Sequence, residues 1–136
     1  MTEHQPYEEK LNRPPDFVVD YRFLTEKEGG RMSGPPLQGY RSDFWYEHEN
    51  QKPNQIFMIW PEFLDDQGKV ITTKESRVPS SGKAQMWIVN QEMTKYHQGR
   101  IYIGLEGFFM EGGTRVAQCQ VTEIVGLKEP DNIKKK

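Results

Sequence analysis

The sequence of 136 residues has a single cysteine, Cys119, which excludes a disulfide framework within the chain. No apolar run approaches the ~18 residues of a membrane-spanning helix. Met1 to Pro15 lacks the apolar stretch of a secretory leader. No membrane partner is expected, and the expected location is cytoplasmic. Positive charge is not in excess either: 18 Lys and Arg face 20 Asp and Glu, a net charge of -2. Dedicated nucleic-acid binders usually carry a basic surplus. A Gly-x4-Gly-Lys-Ser/Thr loop is absent as well, so no nucleotide is expected. The length is that of one domain.

Aromatic residues are plentiful: 3 Trp, 6 Tyr and 7 Phe. Each buried ring removes a large apolar area from water, so a compact core is expected although only 35% of residues are hydrophobic. Charge is arranged unevenly. Residues 1–16 hold four acids and two bases, and residues 128–136 hold four bases and two acids. The ends cancel and the middle carries the deficit.

Residues 1–15 read as a polar, flexible arm closed by Pro14-Pro15, where two residues lack backbone donors. Residues 16–127 form the body, and residues 128–136, ending in Lys134-Lys135-Lys136, a charged tail. In the body, Phe17, Val19, Tyr21 and Phe23 alternate with Val18, Asp20, Arg22 and Leu24, the period of a strand. A second strand is expected from Tyr40 to Glu49. A third follows from Gln55 to Trp60, stopped by Pro61. Asp65-Asp66-Gln67-Gly68 reads as a hairpin turn leading into Lys69–Thr73, and Pro79-Ser80-Ser81-Gly82 as another turn. Met86–Val89, Arg100–Met110 and Arg115–Val125 complete the strands, and Gln91–Gln98 is the one weak helical stretch. The expected fold is all-β: a small closed antiparallel β-barrel of six to seven strands. Ile101, Ile103 and Leu105 share one parity and Phe108 and Met110 the other, so a β-bulge is expected at Gly107.

Two motifs echo each other. Glu28-Gly29-Gly30-Arg31 follows the first strand, and Glu111-Gly112-Gly113-Thr114-Arg115 precedes the last. Gly pairs suit tight turns, and the flanking Glu and Arg could pair within a motif or across to the other. Gly39-Tyr40-Arg41 and then Phe44 follow the first motif. This order and spacing resembles the C-terminal β-barrel, the third domain, of translation elongation factor Tu. There a Glu-Gly-Gly-Arg turn precedes Gly-Tyr-Arg-x-x-Phe, and a Gly-Leu-x5-Glu-Gly-Gly segment precedes the last strand, as Gly104-Leu105 and Glu111-Gly112-Gly113 do here. The resemblance covers residues 16–127. It implies a binding module that meets other protein domains, an exchange factor and the T-stem of aminoacyl-tRNA. It assigns turn-forming roles to Glu28, Gly29, Gly30, Gly39, Tyr40 and Gly113. It also places Arg31, Arg41, Glu111 and Gly112 at partner- or RNA-facing positions.

Five positions depart from the family: Met32 for a polar residue, Asp43 for Gln, Met110 for Arg, and Thr114-Arg115 for the reverse order. A lost cation and a gained anion weaken phosphate contacts. The leading expectation is a non-catalytic module engaging a protein partner or a second copy of itself. The alternatives are a translation-linked tRNA- or RNA-binding protein, and a decoy of the translation factor. With no GTPase domain or phosphate loop in the chain, no enzyme, no cofactor and no metal are expected.

The candidate residues have plainer roles as well. For Arg31 and Arg41 a rim salt bridge, to Glu28 or Glu111, is favoured over phosphate contact. For Trp45, Trp60 and Trp87 core or inter-strand packing is favoured over a stacking platform or an apolar anchor. His4, His48 and His97 show no metal-ligand spacing. Cys119 alternates with Ala117 and Val121, which suits a buried apolar role better than a nucleophile.

Overall fold

The computed structural model describes residues 3–47 and 56–127. His48, the end of the expected second strand and the tail 128–136 lie outside them. Among the described residues, β1 (Phe17–Phe23), β2 (Asp43–Trp45), β3 (Ile59–Phe63), β4 (Ser81–Ile88), β5 (Glu106–Glu111) and β6 (Thr114–Ile124) form one sheet. Its order is β2-β5-β6-β1-β4-β3, and every strand pair is antiparallel. Two short α-helices, α1 (Tyr7–Leu11) and α2 (Thr94–His97), and two 3-10 turns, Glu26–Glu28 and Gln91–Met93, complete the regular elements among the described residues.

The closed barrel is corrected to a strongly curled, open sheet. Edge strand β2 approaches the stretch just before the other edge strand, β3, where Phe44 and Phe57 exchange backbone hydrogen bonds of 2.8 and 2.9 Å. Among the described residues no ladder seals the seam. Inside the curl, Phe17, Val19, Tyr21 and Phe23 of β1 meet Phe44, Ile59, Phe63, Met86, Phe109 and Val121 in one core cluster. The β1 alternation therefore sorts its faces as the sequence pattern predicts, with Asp20 and Arg22 exposed.

The bulge is not at Gly107. That residue pairs regularly with Cys119, and the register shifts between Phe109 and Met110 instead. The skipped residue is Val116 of β6. A second shift, opposite Val18/Val19, skips Thr122. Both irregularities bend β6, the strand around which the sheet turns. Gly107 has a different reason to be glycine: a Cβ there would lie 2.5 Å from Cζ of Phe44 and 3.1 Å from the Trp45 carbonyl. The parity argument failed because residues 100–105 are not strand, and Ile103 is exposed at a turn.

Other boundaries shift too. β3 runs through Pro61 to Phe63, because an edge strand has a side on which a missing N–H costs nothing. Lys69–Thr73 contributes only single bridges, Val70 to Leu64 and Thr73 to Glu3. Ser81 and Gly82, expected in a turn, already belong to β4. Asp65–Gly68 is a turn, with the Asp65 carboxylate accepting from the backbone of Gln67 and Lys69 at 2.9 and 3.0 Å. The open side of β3 is finished by a side chain. The buried Gln38 amide donates to the Phe63 carbonyl and accepts from the Phe63 N–H, both at 2.9 Å, as a neighbouring strand would.

Residues 3–15 lie against the outer face of β3 and β4. The His4 N–H donates to the Thr72 carbonyl at 2.6 Å. His4 and Tyr7 are buried, and α1 ends at Asn12 in the left-handed conformation. The segment read as a polar arm thus adds a second layer over the sheet.

Candidate functional site

The two glycine motifs meet at one end of the sheet. β5 and β6 are joined by a two-residue hairpin in which Gly112 takes φ 58°, a left-handed conformation that L side chains rarely adopt. This turn presents Glu111 to the first motif. Arg31 Nε donates to Glu111 Oε2 at 2.8 Å, the Tyr40 hydroxyl donates to the same oxygen, and the Arg31 guanidinium lies 5.2 Å from the Tyr40 ring centre. Arg31 also donates to the Gly34 carbonyl. Burial, reinforced by Glu111, pushes the Tyr40 hydroxyl well above its ordinary range. The arrangement is a latch between motifs 80 residues apart.

Glu28 is not part of the latch. It closes a capping box with Thr25 and binds Arg22 through both oxygens, at 3.0 and 3.2 Å. The Arg22 hydrogen bond, followed by the Thr25 N–H, lowers its carboxyl to about 2.

Arg41 points elsewhere, and its position leads to a second site. Trp60 and Trp87 face each other across β3 and β4, on the outer face. Neither joins the core cluster, and neither does Trp45, which lies 6.2 Å from Phe108 on the outside of β2 and β5. Of the two packing roles expected for the tryptophans, core or inter-strand, the structure shows the inter-strand one, on the outer face. Arg41 lies 4.5 Å from the Trp60 ring centre, Arg13 5.4 Å from that of Trp87, and Lys10 5.9 Å from that of Tyr7. These six side chains, with Leu11, Ile88, Val89 and Gln91, line a cleft of about 430 Å³.

The cleft has a fixed floor. Glu62 is fully buried beside it. Its Oε2 accepts from the Tyr7 N–H at 2.8 Å and lies 2.6 Å from His4 Nε2, while Oε1 accepts from Trp87 Nε1 at 3.1 Å. One carboxylate therefore ties the N-terminal segment to a cleft tryptophan. Burial, then the Glu62 charge, raise the Tyr7 hydroxyl, with Arg41 pulling the other way.

The three cations differ in how they are held. Arg13 is paired with Asp16 at 3.1 Å and donates to the Ile88 carbonyl. Lys10 and Arg41 form no ion pair among the described residues. A guanidinium stacked on a ring keeps its edge donors available. Among the described residues the lining contains no acid. The cleft is thus apolar and aromatic at its base and positive along its wall.

The sequence pointed to Arg41, Trp60 and Trp87 separately, but not to their meeting, which depends on the β3–β4 register. It missed Tyr7, Lys10, Arg13 and Glu62. One signal was available: Tyr7 and Leu11 stand four apart in an otherwise polar stretch, the spacing of one helix face. Cys119 is buried, and burial pushes its thiol well above the ordinary range, so it is not poised as a nucleophile. Among the described residues no group of His, Cys, Asp and Glu is placed to hold a metal, and no helix is long and apolar enough to cross a membrane. No protein-family model matches the chain, and no curated protein is found to be similar to it.

Proposed function

We propose that this chain is a non-catalytic binding module, related to the third domain of elongation factor Tu, that engages a protein partner through the cleft between its N-terminal segment and β3–β4. The observation that carries the proposal is the cleft itself: the exposed Arg41 and half-buried Trp60 set over the buried Trp87 and Tyr7 in one concave, mostly apolar site. Tryptophan, tyrosine and arginine are the residues that dominate binding energy at protein interfaces. The relation to the translation factor is supported by motif order and by an all-β body. The Arg31–Glu111 latch supports a protein partner over tRNA, because the cation that would meet a phosphate is already occupied by a carboxylate.

The test is affinity capture from the organism's own cells with the unmodified chain and with Arg41→Glu and Trp60→Glu variants, each checked for folding. The expected result is a stoichiometric protein retained by the unmodified chain and lost from both variants. A lone monomer that retains nothing, or a partner retained equally by all three, contradicts the proposal. Binding of tRNA at low salt with a steep salt dependence would favour the RNA alternative instead.

A further inference from the structure

We propose that the cleft recognises the C-terminal residue of a partner polypeptide, an apolar side chain carrying a free α-carboxylate. The inference rests on the protein-partner proposal above and specifies the group that enters the site.

Three observations lead to it. The first is charge. Lys10, Arg13 and Arg41 line the cleft and, among the described residues, no acid does. Asp16 is spent on Arg13 and the Ile88 N–H, and Glu62 on His4, Tyr7 and Trp87. Glu8 and Glu9 belong to α1 but not to the lining. Arg41 rests a ring-stacked face on Trp60 and hydrogen-bonds the Tyr7 hydroxyl, and the rest of its planar guanidinium, which forms no ion pair among the described residues, matches a carboxylate. An anionic group is therefore favoured at the wall, next to Arg41.

The second is size and polarity. At about 430 Å³ the cleft is at the small end of the range, roughly 300–1,000 Å³, of small-ligand sites. Its base is built from Tyr7, Trp60 and the nearly buried Trp87, while the Ile88 side chain belongs to the core cluster. The occupant must bring a carboxylate and an apolar body in one compact unit. An internal Asp or Glu brings the charge without the body. A chain-terminal Phe, Leu or Trp brings both on a single Cα.

The third is the surface beyond the cleft. Leu11 and Val89, at its edge, are 49% and 36% exposed, and Met58, whose carbonyl accepts from the Val89 N–H, is 52% exposed. This apolar margin would remain bare beside a free small acid. It suits the residues preceding a chain terminus.

The cleft contains its own reporters, since two of the three tryptophans line it. The experiment titrates the full chain with the tripeptide N-acetyl-Ala-Ala-Phe as its free acid, with the same peptide as its C-terminal amide, and with N-acetyl-phenylalanine free acid. Tryptophan fluorescence and calorimetry are the readouts. The free-acid tripeptide is expected to bind at least tenfold more tightly than its amide and severalfold more tightly than N-acetyl-phenylalanine. Its affinity should fall as salt rises. Arg41→Gln, at an exposed position, should remove the acid–amide difference while leaving the circular dichroism and melting temperature unchanged. Lys10→Gln should reduce it severalfold.

Equal binding of acid and amide overturns the inference, as does silence of all three ligands at about millimolar concentration, the weak end of specific recognition. Equal binding of the tripeptide and N-acetyl-phenylalanine overturns the chain-terminus assignment in favour of a free acid. If the captured partner still requires Arg41 and Trp60 while acid and amide bind alike, this inference fails and the protein-partner proposal stands.

Discussion

At the scale of single residues, carboxylates organise this protein more than cations do. Glu28, Glu62 and Glu111 each collect two or more donors, and each joins segments distant in sequence or holds a turn. Glu28 provides a pH test. Its folded-state carboxyl is held at about 2, below the ordinary 4.5. A depressed carboxyl stabilises fully above its unfolded value, and the contribution disappears as pH falls through the folded value. The melting temperature of Glu28→Gln should therefore lie below that of the unmodified chain at neutral pH. The gap should close between pH 4.5 and pH 2. Since the pair is exposed, added salt should narrow the gap as well. A gap independent of pH would show that Glu28 acts through packing instead. The Arg31–Glu111 pairing was one of the options legible in the echoing motifs. The Arg22–Glu28 pairing was not, because it requires the turn after β1 to fold back along the strand's outer face, and alternation alone says nothing of that.

At the scale of elements, legibility followed local periodicity. β1 was readable because its side chains alternate along an unbroken strand, and β6 because alternation persists from Ala117 to Val121, between its two bulges. Residues 100–105 alternate equally well, yet they turn, and the inferred bulge at Gly107 fell with them. The glycine is instead dictated by the Phe44 ring from β2, a contact between elements more than 60 positions apart that no local pattern encodes. Gly107→Ala should cost about 1–3 kcal/mol by overpacking, and a smaller residue at position 44 should recover part of the loss. Denaturant unfolding measures both, and an unchanged midpoint in Gly107→Ala would contradict the packing account. The N-terminal segment was legible as polar but not as a layer, since the groups that hold it, Glu62 and Trp87, lie in β3 and β4. Removing the buried partner leaves His4, the Tyr7 N–H and the Trp87 N–H unmatched. Glu62→Ala should therefore cost about 3–5 kcal/mol, and cleavage by trypsin at the Lys10–Leu11 bond should quicken. Cleavage no faster than in the unmodified chain would mean that the segment is held by other contacts.

At the scale of the whole molecule, the sheet curls until Phe44 and Phe57 touch, which buries one face and leaves the outer faces for other uses. One outer face carries the N-terminal layer and, beside it, the aromatic, positively walled cleft. Net charge, at -2, gives no hint of this local concentration of cations. Its formation depends on three separated stretches, around residues 7–13, 41 and 60–89, being brought together by register and layering. The central claim is that this cleft, and not the Arg31–Glu111 end of the sheet, meets the partner. Hydrogen–deuterium exchange of the chain alone and in complex with its captured partner tests it most directly. The account predicts new protection at residues 7–13, 40–42 and 86–91, with the β5–β6 hairpin around Gly112 unchanged. Protection concentrated on that hairpin and on residues 28–34, with the cleft segments unaffected, would contradict it.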